Sequence, residues 1–319
     1  MALVLSVVVP LLNEEHNIRG LYEELKEVFA QLVYFSSYEL IFVNDGSRDN
    51  SLVILKELAI TDSAIKIISF TRNFGHEPAT HAGIHHATGD AVVLIDCDRQ
   101  DPAKLILTFE KEYNAGYDIV YGQRSQRLNE SWLKKLTSWI FYPLFQKLTN
   151  IDMPRNVGDF CLMSRKAVNC FKTMPERSFF VRGLIYWSGL PKKAVPFVRR
   201  GRAAGRSNYN YWKLSVFALE NIVSFSNTPI YLIIFGSASV IAACIAGACI
   251  TLIMKFLGLV VMTGWASLMF CLLFLFASTF FVLGVLGLYI SKIFQEIKQR
   301  PIYLIDEKIN FEAHKGNQL

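Results

Sequence analysis

Missing charge is the feature that most limits what this chain can become. No Asp, Glu, Lys or Arg occurs from Asn221 to Met254, and none from Phe256 to Ser291. Each tract exceeds the roughly 20 apolar residues a helix needs to cross a bilayer. A large soluble core can hide one such tract as a buried hairpin. Two in succession predict two transmembrane helices, near residues 230–254 and 266–290. At about 1.5 Å per residue, such spans rise roughly 37 Å, enough for about 30 Å of hydrocarbon with some tilt.

Basic residues orient the pair. Arg199, Arg200, Arg202, Arg206 and Lys213 precede the first tract, Lys292, Lys298 and Arg300 follow the second, and only Lys255 lies between them. Both termini are therefore expected on the cytoplasmic side of the inner (plasma) membrane, in a multi-pass arrangement. The opening "MALVLSVVVP" lacks a basic n-region and a cleavage site, so it reads as a buried strand and not a signal segment. The net charge of +6 suits an anionic membrane surface or phosphorylated substrates. Six cysteines (97, 161, 170, 244, 249 and 271) form no C-x-x-C pair, which argues for a reduced compartment without zinc or a disulfide framework.

The first 125 residues alternate apolar, β-branched runs with helical stretches. The runs are 3–10, 38–45, 64–70, 91–96 and 117–124; helices are expected over 14–33, 50–60 and 77–88. This alternation predicts an α/β domain with a mostly parallel sheet covered on both faces. In such sheets ligands bind beyond the carboxyl ends of the strands. Polar residues follow every run: Asn13 and Glu14, Asp45, Arg72, Asp96 and Asp98, and Arg124. Five strands ending this way predict a site. Neither G-x-G-x-x-G nor a P-loop motif is present, so neither a dinucleotide nor a P-loop reading has support.

"AVVLIDCDRQDP" (91–102) is the sharpest local signal. Crowded carboxylates repel unless something positive sits among them. Asp96 and Asp98 can share a hard cation such as Mg²⁺ or Mn²⁺, which also carries substrate phosphates. Asp101-Pro102 reads as a helix N-cap and first position, and Asp45-Gly46-Ser47 as a turn leading to a helix cap. "HEPATH" (76–81) has the wrong spacing for a zincin. His81 and His85, four residues apart, read as an ordinary polar helix face, so no role is assigned to these histidines.

Beyond these local readings, "SVVVPLLNEEHNI", "FVNDGSRDNS", "TRNFGHEPATHAGIHHATGDAVVLIDCDRQDP", "YGQR", "GDFCLMSR", "FVRGL" and "RAAGRSNY" follow in order along the whole chain. Together they resemble the inverting glycosyltransferases of family 2. The resemblance is strongest to the polyisoprenyl-phosphate branch, with its dolichol-phosphate mannose synthases and bacterial undecaprenyl-phosphate glucosyltransferases. It implies a GT-A, Rossmann-like domain. It places Pro10, Leu12, Glu14, Val43 (through its backbone) and Asp45 around the nucleoside. Asp96, Cys97, Asp98 and Gln100 would surround the metal, ribose and diphosphate, and Arg124 and Arg202 would meet phosphate. Asp159 would act as base or acceptor-orienting group, with Asp98 and Arg202 also in the catalytic set. Arg200, Arg202, Arg206 and Ser207 would hold the lipid phosphate, with Arg199 a further natural partner, although a generic anionic-lipid patch has the same composition. Asn208 stands where the family usually carries lysine, and Arg99 where it often carries leucine; the latter is either an extra anion contact or a surface residue.

The expected layout is a catalytic domain over 1–208, a juxtamembrane helix over 209–228, two spans within 229–291 and a cytosolic tail over 292–319. Residues 131–148 set Trp132, Leu136, Trp139, Ile140 and Leu144 at helical spacing beside Lys134, Lys135 and Lys147, as in a helix lying in the membrane interface. "RPIYLIDEKI" (300–309) reads as an extended segment returning to the catalytic domain or to a neighbouring subunit. The expected partners are a nucleotide sugar, a polyprenyl phosphate, the membrane and further copies of the chain, without nucleic acid. The expected reaction moves glucose from UDP-glucose to undecaprenyl phosphate. GDP-mannose or a UDP-N-acetylhexosamine is the alternative donor, and a membrane scaffold or flippase partner with a dead nucleotide fold is the non-enzyme alternative.

Overall fold

The computed structural model describes residues 3–125, 154, 157–174, 181–200, 228–257 and 264–311. Among them, 228–257 and 264–299 form one compact unit and the remainder another. The expected interfacial helix (131–148) and juxtamembrane helix (209–227) lie outside the described residues, as do Arg202, Arg206, Ser207 and Asn208.

In the larger unit, strands β1 (Leu3–Leu11), β2 (Phe35–Asn44), β3 (Ile65–Phe70), β4 (Ala91–Leu94), β5 (Ile119–Arg124), β6 (Val157–Ser164), β7 (Lys192–Phe197) and β8 (Ile305–Ile309) form one sheet. Their order is β7-β5-β6-β4-β1-β2-β3-β8. The helices are α1 (Ile18–Phe29), α2 (Ser51–Thr61), α3 (His76–His86), α4 (Ile106–Asn114), α5 (Arg165–Thr173) and α6 (Val181–Trp187). Leu5, Val7, Val8 and Val9 of β1 are all fully buried. Successive side chains point to opposite faces, so both faces of this strand are covered, as the uninterrupted apolar run requires.

The sheet is mixed. β1 pairs in parallel with β2 and β4, and β2 with β3. β5 does not join β4 directly, because β6 lies between them, antiparallel to both. β5 consequently runs the same way as β4, and its carboxyl end still reaches the common edge. The reversal of β6 brings its first residues, Val157 to Asp159, to that same edge. β7 runs parallel to β5 and delivers Arg199 there as well. On the far side β8 runs antiparallel to β3, with Leu304 O accepting from Thr71 N at 3.1 Å. The 300–309 stretch thus covers the edge of β3, an edge that would otherwise present unpaired backbone groups.

Three loops at the ligand-facing edge are fastened together. Asn13, at φ 56°, takes the left-handed conformation that a short polar residue tolerates. Its N–H donates to Ser47 Oγ, and its Oδ1 accepts from Arg48 N, both at 2.9 Å. Ser47 therefore ties two loops and does not cap a helix; α2 begins only at Ser51. Gly46, at φ 68°, packs on the backbone of Arg72, where a Cβ would approach to 2.4 Å.

The second unit contains α7 (Thr228–Phe256) and α8 (Trp265–Ile297). The described parts of both uncharged tracts are therefore helical. Cys271–Phe294, with mean hydropathy 2.5 and none of its most apolar stretch buried, is long and apolar enough to cross a membrane. It is the one such segment among the described residues.

Candidate active site

The site is assembled from strand ends. Asp45 follows β2, and its N–H donates to Leu11 O at 3.0 Å. Its carboxylate accepts from Phe74 N at 2.7 Å and Gly75 N at 2.9 Å. Burial pushes its carboxyl above the usual 3.8, while those two amides and His76 pull it back. Pro10 and Val43 are register partners on β1 and β2. The Val43 side chain is core, so only its backbone suits a ligand; Leu12 is exposed at the end of β1. Glu14 opens the turn into α1, with its N–H donating to Ser51 Oγ and its carboxylate accepting from Asn17 Nδ2 at 2.6 Å.

Beyond β4, Asp96, Asp98 and Asp101 have separate surroundings. His76 Nε2 lies 3.8 Å from Asp96 Oδ1 and 3.5 Å from Asp159 Oδ2. Burial raises the Asp96 carboxyl, and the carboxylates of Asp159 and Asp98 raise it further against His76 and Arg199. His76 responds in the opposite sense: burial alone would lower it, but Asp159 and Asp96 bring it to about 9. Asp98 Oδ1 accepts from Gln100 N at 3.1 Å, and Asp98 Oδ2 faces Arg199 Nη2 at 3.7 Å. Gln100 is buried. The Cys97 side chain belongs to the apolar core, and burial drives its thiol far up; its side chain is therefore withdrawn from the expected binding set.

Asp101 corrects the helix-cap expectation. It makes no cap; a 3₁₀ turn starts at Ala103 and α4 at Ile106. Its buried carboxylate instead faces Arg199 Nε at 3.3 Å and Arg124 Nη2 at 4.0 Å. Arg124 rests against Gly158, where a Cβ would meet its guanidinium at 2.7 Å. Arg99, at φ 57°, bonds Glu24 of α1 at 2.6 Å, so it fastens the loop to the helix and does not line the anion site. Arg200 pairs with the same Glu24 at 3.5 Å, and its N–H donates to Gln100 O. That pairing places Arg200 beside α1, with its side chain half-exposed.

The donor set fits a hard divalent ion only in part. Among the described residues, no three His, Cys, Asp or Glu side chains are grouped to hold a metal. Asp96 and Asp98 supply two carboxylates in a region with surplus negative charge. This suits an ion that keeps waters and takes its remaining oxygens from substrate phosphates.

The model of glycosyl transferase family 2 matches residues 6–171. The chain belongs to glycosyltransferase family 2. Its match spans most of β1 through most of α5, and β7 and β8 lie beyond it. The family-2 chain is 42% identical to the prophage bactoprenol glucosyl transferase homolog of Escherichia coli (strain K12), over 94% of this chain and 98% of that one. It is 40% identical to the bactoprenol glucosyl transferase of Shigella phage SfII, over 98% and 99%. Glucosyl-3-phosphoglycerate synthase from Mycobacterium tuberculosis, solved with Mn²⁺, UDP and glucosyl-3-phosphoglycerate, superposes with TM-score 0.50 at 21% identity, over 69% of this chain and 78% of that one. That similarity shows a shared GT-A fold.

Two participants were not legible as such. His76, within "HEPATH", receives no role from the sequence, which marks Arg199 only as one of several basic residues that orient the spans and suit a lipid phosphate. Both acquire partners through strands distant in sequence.

Proposed function

We propose that this family-2 enzyme transfers glucose from UDP-glucose to undecaprenyl phosphate at the membrane, with inversion. The observation that carries the reading is the similarity to bactoprenol glucosyl transferases over almost the whole chain, including the long apolar helices beyond residue 171. α7 and α8 both cross the bilayer in this proposal, with both termini cytoplasmic and the 1–208 domain facing the lipid headgroups.

Asp45, Glu14, Leu12, Pro10 and the Val43 backbone hold the nucleoside. Asp96 and Asp98 hold Mg²⁺ or Mn²⁺ with the diphosphate; when bound, the ion offsets charge on the departing UDP. A Mn²⁺ and UDP complex of the mycobacterial structural relative accords with this choice. Arg124 and Arg199 add fixed positive charge beside that group. Arg200, Arg202, Arg206 and Ser207 receive the lipid phosphate. A phosphate oxygen of the lipid bonds to the glucose anomeric carbon as the carbon–oxygen bond to UDP breaks. Attack comes from the face opposite UDP, so an α-linked donor gives a β-linked product. The lipid phosphate is already ionised near neutrality, so Asp159 orients the acceptor more than it removes a proton.

Labelled sugar nucleotides offered with undecaprenyl phosphate in detergent, with Mg²⁺, Mn²⁺ or EDTA, test the reading. A glucosyl lipid formed from UDP-glucose alone and lost with EDTA is expected. No product from any donor, in folded protein, would reject it.

A further inference from the structure

His76 occupies a position that the proposed reaction leaves unexplained. It is the first residue of α3, and its partly exposed ring lies beside the carboxylates of Asp96, beyond β4, and Asp159, on β6. Gly75 makes that orientation possible. At φ 111° and ψ 164° it turns the chain in a conformation that L side chains rarely adopt, and the nearest atom to a Cβ there would be Pro78 Cδ at 3.7 Å. The glycine is therefore demanded by backbone direction and not by space. The same turn is anchored from below, because Phe74 N and Gly75 N both donate to Asp45. One short loop thus binds the proposed nucleoside carboxylate through its backbone and presents His76 to Asp96 and Asp159 through its side chain.

Resting on the proposed function, we infer that His76 is a positioning residue that holds the Asp159 carboxylate in its working orientation relative to Asp96. The antiparallel pairing of β4 with β6, which sets Leu94 against Cys161, brings the backbones of Asp96 and Asp159 side by side, but it leaves the direction of the Asp159 carboxylate to its local contacts. One ring nitrogen, Nε2, stands 3.5 Å from Asp159 Oδ2 and 3.8 Å from Asp96 Oδ1. A single Nε2–H directed at Asp159 suffices for this task, whichever state the other ring nitrogen takes. Asp159 is buried, and a hydrogen bond from the ring restricts the directions its carboxylate can take. Holding Asp159 aimed matters because misplacing a reacting or orienting group by about 1 Å costs on the order of 10²-fold in rate.

Kinetics of the full chain in detergent, with UDP-glucose, undecaprenyl phosphate and saturating Mn²⁺, provide the test. His76→Ala should lower kcat by about 10²-fold while KM for UDP-glucose moves by less than about 3-fold. His76→Gln keeps an N–H donor of similar reach and should recover most of that kcat. In an Asp159→Asn background, His76→Ala should add less than about 3-fold further loss, because its action runs through Asp159. Independent, multiplicative losses in the double variant would overturn the inference, as would a His76→Ala enzyme with kcat within about 3-fold of wild type. A wild-type protein that transfers no glucose overturns the functional reading and this inference together. Wild-type transfer with an indifferent His76→Ala overturns the inference alone.

Discussion

Arg199 Nε stands 3.3 Å from Asp101 Oδ1, and the same guanidinium reaches Asp98 Oδ2 through Nη2 at 3.7 Å. One arginine at the end of β7 therefore faces a buried acid and a member of the D-x-D pair. Arg124 approaches the other Asp101 oxygen. Breaking such a cluster from one side leaves uncompensated charge in a poorly solvated place.

The Asp101 carboxyl gives a pH signature. Burial pushes it from 3.8 up to about 6 against the pull of Arg199 and Arg124, with Asp96 and Asp98 adding to the rise. The folded chain therefore binds this proton more tightly than the unfolded chain. Its contribution to stability is fully present below about pH 4 and is lost as pH rises through about 6. Asp101→Asn removes the titration. The stability difference, wild type minus variant, should fall by about 3 kcal/mol across that window. Melting both proteins over a pH series checks it, and a flat difference would refute the assignment.

Asp98→Ala should leave the sheet intact, since Asp98 follows β4 instead of packing inside it. With the carboxylate gone, the pair proposed to hold the ion is broken and Arg199 loses its Asp98 partner. Transfer should fall by about 10²-fold or more. Chelation of wild type should mimic it. Substantial metal-independent transfer by the variant would reject Asp96 and Asp98 as the ion-binding pair.

Glu39 tests the opposite end of the sheet. It is buried, and it accepts from Thr88 N at 2.6 Å, Thr88 Oγ1 at 3.0 Å, Ser6 Oγ and Lys66 Nζ. Burial would raise its carboxyl, but Lys66, Ser6 and Thr88 together bring it below the usual value. Glu39→Gln preserves shape and strands the Lys66 charge. A loss of about 1–3 kcal/mol is expected in denaturant unfolding, with kcat per folded molecule unchanged. A variant as stable as wild type would show that this network adds nothing.

Strand β8 sets the terms for testing the membrane anchor. Tyr303 stacks on Phe70 with ring centres 4.8 Å apart, and β8 covers β3. Deleting everything after residue 228 would remove this strand along with the helices and expose the β3 edge. Replacing 228–299 by a flexible linker keeps β8. That variant should retain UDP binding but lose transfer to long-chain acceptor, whereas the full deletion should also aggregate. Retained long-chain transfer by the linker variant would refute the anchoring role.

Sequence alone determined what short-range chemistry encodes. The uncharged tracts required long apolar helices, and the β-branched runs with polar ends located β1 to β5 and the edge where ligands would bind. "AVVLIDCDRQDP" marked Asp96 and Asp98, because crowded carboxylates at a strand end are costly without a purpose. The ordered motifs identified the family. Only tertiary structure decided the rest, because pairing across a sheet depends on strand direction and order, which local pattern does not specify. The reversal of β6 carries Asp159 to Asp96, and β7 carries Arg199 to Asp101, which sequence had read as a helix cap. His76 lies beside two carboxylates because Gly75, at positive φ, turns the chain there while Asp45 holds the turn. A histidine at a helix start looks the same in sequence whether it faces water or a cleft, and long-range packing makes the choice.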